Sequence, residues 1–195
     1  MGYLLAVSSS PRREGNSELL LKSFTEGAQK AGQRVETVRL NELNYRPCQA
    51  CDRCATTGRC VLKDDMQRLY PLVESAGGIV LATPVYFGSL SAQLKMLIDR
   101  FQCWWHAKYR LEKPFVRPEE NRPGYIICTG ALQKAEFCES AVAIIKVFYR
   151  NINYQHSGTL CRRGYDQKGS IKDDPVNLEN AYQAGLSFGS KDMPR

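Results

Sequence analysis

Apolar residues fall along the chain in two alternating rhythms. Continuous apolar runs occur at 3–8 (YLLAVS), 78–83 (GIVLAT) and 124–129 (GYIICT). Each ends in small or polar residues, as central parallel strands buried on both faces do. More polar runs at 34–40 (RVETVRL) and around 153–160 complete a set of five predicted strands. Between them the spacing changes to three and four. Leu20, Phe24, Ala28 and Ala31 form one helical stripe, opened near Ser17 as N-cap and closed at Gly32. Met66, Leu69, Val73 and Ala76 form a second, behind Asp64 and Asp65 and ahead of Gly77 and Gly78. Leu90, Leu94, Leu97, Ile98, Phe101 and Trp105 mark a third, and Phe137, Ala141, Ile144, Ile145 and Phe148 a fourth. A last helix is predicted over roughly 177–188, and a charged, proline-bearing surface excursion over 107–123.

Strand and helix alternating five times predict a parallel sheet with helices on both faces. Right-handed crossovers and five strands point to the flavodoxin-like doubly wound order 2-1-3-4-5. The 195 residues fit a single domain, 1–195, with no repeat or linker. In such a sheet ligands bind beyond the carboxyl ends of the strands, where the strand order reverses.

The loops predicted to meet there carry the candidate chemistry. SSSPRREGNS after the first strand offers Ser8, Ser9, Ser10, Arg12, Asn16 and Ser17 around a helix N-terminus. That combination suits one phosphate group; read blandly, it is a polar turn. Neither GxGxxG nor a phosphate-binding GKS or GKT is present. TPVYFGSLS puts Tyr86 and Phe87 at the mouth of the crevice, with Gly88 permitting close backbone approach. Such aromatics suit a flat ring, unless they fold back into the core. CTGALQ brings Thr129, Gly130 and Ala131 beside them.

Four of the eight cysteines lie in CQACDRCATTGRC, at Cys48, Cys51, Cys54 and Cys60. The spacing suits one compact iron-sulfur core, with Gly58 helping the chain turn and Arg53 and Arg59 offsetting charge. Structural zinc usually takes two pairs of cysteines further apart, and idle thiols are a third reading. Cys103, Cys128, Cys138 and Cys161 read as buried packing residues. The opening residues have neither a basic leader nor a cleavage site, and no run is long enough to span a membrane. The expected location is the cytoplasm, where thiols stay reduced. The net charge of +7 is concentrated over 146–172, at Lys146, Arg150, Arg162, Arg163, Lys168 and Lys172. It reads as a solvated face or as a docking surface for an anionic partner. His106 and His156 stand apart from each other, and no side-chain constellation suggests hydrolysis, so no residue is assigned as catalytic.

SSPRREGNS, TPVYFGSLSAQLKMLIDR and CTGA resemble the corresponding loops of the NADPH-dependent FMN reductase superfamily over roughly residues 3–135. CQACDRCATTGRC followed by VLKDDM resembles its iron-sulfur flavoprotein branch. The resemblance implies an FMN whose phosphate is held by Ser10, Arg12, Asn16 and Ser17, with Ser8 alongside. It implies an isoalloxazine lined by Pro84, Val85, Tyr86, Phe87, Gly88, Ser89, Thr129, Gly130 and Ala131, and a 4Fe-4S cluster on the four loop cysteines. It also implies a homodimer or homotetramer. The cofactor then carries the chemistry. The electron donor would be NAD(P)H or an acidic ferredoxin, drawn to the basic face. A cluster-free NAD(P)H-dependent FMN or quinone reductase is the second expectation. A zinc-stabilised nucleic-acid-binding module is the third, disfavoured because it leaves the three-loop crevice without a purpose.

Overall fold

A computed structural model describes residues 2–190. Strands β1 (Leu4–Ser8), β2 (Val35–Arg39), β3 (Gly78–Tyr86), β5 (Arg122–Gly130) and β6 (Tyr154–Arg163) form a parallel sheet in the order β2-β1-β3-β5-β6. Its register sets Leu4 beside Val35, Leu5 beside Ile79, Leu81 beside Ile126 and Ile127 beside Leu160. The period-two alternation of side chains splits each apolar run between two cores. Leu5, Val7, Ile79, Leu81 and Ile126 face one layer, which holds α2 (Met66–Ser75), α3 (Ala92–Arg100), α4 (Gln102–Tyr109) and α5 (Ala135–Asn151). Leu4, Ala6, Val80, Ala82 and Ile127 face the other, made by α1 (Asn16–Lys30) and α6 (Pro175–Gly189).

The structure departs from the sequence reading at five places. A sixth strand, β4 (Ser89–Leu90), folds back antiparallel on the end of β3. Phe87 and Gly88 form its two-residue turn, with φ of 50° and 73°. Positive φ at both positions suits the twist of a tight hairpin. The predicted third helix is two helices, broken at Phe101, where ψ is 7°. The bend buries Trp104, rather than Trp105, against Phe101 and Phe115. Gly15, and not Ser17, caps α1; Ser17 lies inside its first turn.

The excursion at 107–123 is not wholly superficial. Val116 is buried, and Arg122 reaches inward to donate to the Ala76 carbonyl at 2.9 Å. Finally, Cys138 and Cys161 are not separate packing residues. Cys138, in the first turn of α5, sits over Cys161 on β6 with their Cα atoms 6.5 Å apart, and the two form a disulfide.

Candidate functional site

The crevice is assembled by a buried hydroxyl network at the ends of β1 and β3. The Ser91 hydroxyl caps α3 and donates to Ser9 Oγ at 2.9 Å. Ser9 donates in turn to the Ala82 carbonyl at 3.0 Å, and the Ser91 amide donates to Thr83 Oγ1 at 3.0 Å. Ser9 is therefore a structural member that locks the first loop to the second. Buried polar groups satisfied in this way hold neighbouring backbone in one arrangement.

Two cavities open over this network. One, of about 90 Å³, is lined by Ser10, Arg12, Gly15, Asn16, Ser17, Pro84, Val85, Tyr86, Thr129, Gly130 and Ala131, joined by Tyr165, Asp166 and Lys168. The other, of about 560 Å³, is lined by Val85, Tyr86, Phe87, Gly88, Gly130, Ala131, Leu132, Lys134, Phe137 and Cys138. Val85, Tyr86, Gly130 and Ala131 belong to both, so these are two ends of one crevice. The small end has a helix N-terminus, serine hydroxyls and cations. The large end is apolar and aromatic.

The small end suits an anion. The Asn16 and Ser17 amides open α1 at its positive end, while the Glu18 amide already donates to the Gly15 carbonyl at 2.9 Å. The Ser10 hydroxyl accepts from the Arg12 amide at 3.2 Å and shapes the turn. A Cβ on Gly15 would come within 2.8 Å of Ser10 Oγ, so glycine is what lets the loop pass there. At the large end, a Cβ on Gly130 would stand 3.3 Å from that of Val85. The bare backbone keeps a flat slot open beside Tyr86. Phe87 projects entirely into solvent at the hairpin tip. The crevice thus has an anion seat and an apolar ring slot at connected positions, which fits FMN.

Three of the sequence-designated residues lie elsewhere or are otherwise engaged. Ser8 lines a separate cavity of about 470 Å³ between α1 and β2, where its buried hydroxyl has no partner. Ser89 sits on β4, outside both linings. Asn16 lines the small end, but its side chain is spent on the chain itself. It donates to the Gln167 carbonyl at 2.9 Å and accepts from the Ile171 amide at 3.1 Å. Asn16 thereby holds in place the segment after β6 that contributes Tyr165, Asp166 and Lys168. Sequence reasoning missed that segment. Its signal was Gly164 and Gly169, both at positive φ, bracketing a turn inside the basic region.

The cysteine loop follows β2 and packs on α4, with Gly58 against Ala107. Its backbone winds through positive φ at Ala50, Asp52 and Gly58. Cys48 and Cys51 are exposed, while Cys54 and Cys60 are half-buried. Burial pushes the Cys54 thiol up, and the neighbouring Cys60, Cys48 and Cys51 add to this. Arg59 stacks over Phe115. The cation against the loop is one that sequence reading missed. Arg100, fully buried at the end of α3, donates to Cys60 Sγ at 3.4 Å and to the Arg46 carbonyl at 2.8 Å.

The donor set of four thiols on one short loop, with a buried guanidinium on the fourth, is chemically suited to an iron-sulfur core. No three of the loop sulfurs lie within 4.8 Å of one another. Zn–S bonds of about 2.3 Å in a tetrahedron set sulfurs ~3.8 Å apart. Among the described residues, only Cys128, Cys138 and Cys161 form a group of three or more metal-ligating side chains within 4.8 Å of one another.

Comparison with known proteins settles the family. A model of the NADPH-dependent FMN reductase family matches residues 3–148. The chain belongs to this family. Within it, the chain resembles iron-sulfur flavoproteins. It is 39% identical over 97 residues to one from Methanocaldococcus jannaschii, covering 50% of each chain. It is 38% identical over 97 residues to another from Methanosarcina thermophila, covering 50% of this chain and 51% of that one. The chain spans about half the length of the curated relatives it matches. Among solved structures, an NAD(P)H:quinone oxidoreductase from Methanothermobacter marburgensis superposes with a TM-score of 0.74 at 16% identity, over 100% of this chain and 99% of that one. A Bacillus anthracis azoreductase superposes with a TM-score of 0.70 at 15% identity, over 96% and 100%. These likenesses establish the flavodoxin-like α/β fold. Among the described residues, no helix is long and apolar enough to cross a membrane.

Proposed function

We propose that the chain is an FMN-dependent oxidoreductase that passes electrons between the flavin and a 4Fe-4S cluster on Cys48, Cys51, Cys54 and Cys60. The carrying observation is the two-ended crevice over β1, β3 and β5, with its anion seat and its apolar slot sharing Val85, Tyr86, Gly130 and Ala131. Bound FMN supplies both two-electron and one-electron redox chemistry, which the side chains themselves lack.

The chain binds and orients. Ser10, Ser17, Arg12 and the Asn16 and Ser17 amides would hold the phosphate, and Lys168 would add a second cation. Val85, Tyr86, Gly130 and Ala131 would hold the ring, and Pro84 and Thr129 line the adjoining small end. Phe87 extends from the hairpin as a contact for a second copy of the chain, which would exclude water from the outer edge in a homodimer or homotetramer. Arg100, which donates to Cys60 Sγ, would offset the negative charge of a cluster bound there. The net charge of +7 favours an acidic electron partner such as a ferredoxin, with NAD(P)H as the alternative donor.

A cluster-free NAD(P)H-dependent quinone or flavin reductase is the second reading. The exposure of Cys48 and Cys51 favours it. One preparation separates the two. Protein purified anaerobically and supplied with FMN should show resolved flavin bands, with about four irons and four acid-labile sulfides per chain. Flavin bands without iron establish the second reading. Absence of FMN affinity overturns both.

A further inference from the structure

Three cysteines outside the cysteine loop converge beside the crevice. Cys128 on β5 lies opposite Cys161 on β6 in the strand register, and Cys138 stands over them from the first turn of α5. All three sulfurs lie within 4.8 Å of one another, and Cys138 and Cys161 are bonded. The bridge borders a cavity: Cys138, itself buried, is one of the lining residues of the apolar cavity, with Tyr86, Phe87, Gly130 and Ala131. Phe137, the residue before it, packs against Gly88 of the hairpin. A purely structural staple has no need to border a cavity. Helix α5 is already fixed to the sheet by Ala141, Ile145, Phe148 and Tyr149, all buried.

We propose that Cys138–Cys161 is a redox-active disulfide that exchanges an electron pair with a dihydroflavin seated in the apolar end of the crevice. The inference rests on the flavin reading above for its electron source. In the reducing direction the S–S bond breaks, and the two sulfurs take up two electrons and two protons as thiols. The dihydroflavin gives up the same two electrons and two protons and returns to oxidised flavin; the reverse exchange re-forms the bridge.

Cys138 is the member of the bridge that lines the cavity, and it lies in the first turn of α5, whose positive end favours a thiolate formed there on the way to the thiol. Cys128 takes no part at neutral pH, because burial pushes its thiol up to about 12. A soft metal ion on the three sulfurs is the rival chemistry, and it would require Cys128 to ionise in that setting.

The test is peptide-resolved alkylation of the full chain loaded with FMN. One sample is kept in air, one is photoreduced with EDTA under argon, and one is photoreduced and then reoxidised; all are quenched in acid. Cys138 and Cys161 should resist alkylation in air, take up label after photoreduction, and resist it again on reoxidation, with Cys128 unchanged throughout. A bridge that survives complete flavin bleaching but opens with dithiothreitol overturns the proposal and leaves the flavin reading intact. Cys138 and Cys161 alkylated already in air also overturn it, as does stoichiometric zinc or copper released only when these three cysteines are modified. A chain that binds no FMN fails at the loading step, which overturns the flavin reading and this inference together.

Discussion

Arg100 and Asp64, 36 positions apart, form a two-point ion pair with donor–acceptor distances of 2.6 and 3.1 Å. The same guanidinium reaches Cys60, while Asp64 accepts from the amides of Arg46 and Met66, both at 3.2 Å. One buried cation thus joins both flanks of the cysteine loop to the end of α3.

Breaking that pair should be costly. Arg100→Ala leaves Asp64 without its buried partner, a loss on the order of 3–5 kcal/mol. Arg100→Lys keeps the charge but loses the fork, and should fall between the two. Urea unfolding of the three proteins checks this order. Equal midpoints would show that the loop does not depend on the pair.

Acid should act on the same contact. Burial works against the charge on Asp64, but the bonds from Arg100, Arg46 and Met66 prevail and hold its carboxyl below the usual range. A depressed folded value contributes stability that is full above the unfolded value, about 3.9. That stability is lost as pH falls through the folded value. The wild type should therefore lose stability more steeply below about pH 4 than Asp64→Asn. Thermal midpoints between pH 2.5 and 6 would show it, and parallel curves would count against it.

The two ends of the crevice should respond differently to ligand chemistry. Arg12→Ala and Lys168→Ala should each weaken FMN binding about 10-fold, which is about 1.4 kcal/mol. Riboflavin, without the phosphate, should be nearly unaffected. Gly130→Val fills the ring slot beside Val85 and should weaken both ligands alike. Titration by quenching of flavin fluorescence gives all the constants. A loss of riboflavin affinity in Arg12→Ala would move the anion seat elsewhere.

The cysteine loop should lose its iron one ligand at a time. Cys54→Ser and Cys60→Ser, at the half-buried positions, should abolish iron and labile sulfide while retaining flavin. Unchanged iron content in either variant would remove that residue from the ligand set.

Electron delivery should be sensitive to salt. If the basic face steers an acidic ferredoxin, the reduction rate should fall steeply between low and physiological ionic strength. A flat profile measured by stopped flow would exclude steering.

Much of the sheet was legible because each buried strand is a continuous apolar run, and each helix repeats at three and four. Tyr86, Gly130 and Ala131 were legible as crevice residues because strand order alone brings their loops together. What escaped depends on contacts distant in sequence. Lys168 reaches the anion seat only because Asn16 ties down a segment more than 150 positions away. Arg100 ends an ordinary amphipathic stripe, and nothing local shows that it faces inward toward Asp64. The sixth strand is two residues long, too short to display an alternation. Cys138 and Cys161 read as packing residues because their partnership exists only once α5 lies across β6.

Helix α3 carries a geometric implication. Ser91 anchors one end to the hydroxyl network beneath the crevice, and Arg100 anchors the other to the cysteine loop. Nine residues at 1.5 Å each make a strut of about 13 Å. Because both feet are buried, the strut works as a spacer bar. The gap between its two stations is set by the length of a helix, so movement at the solvent-facing hairpin tip need not alter it.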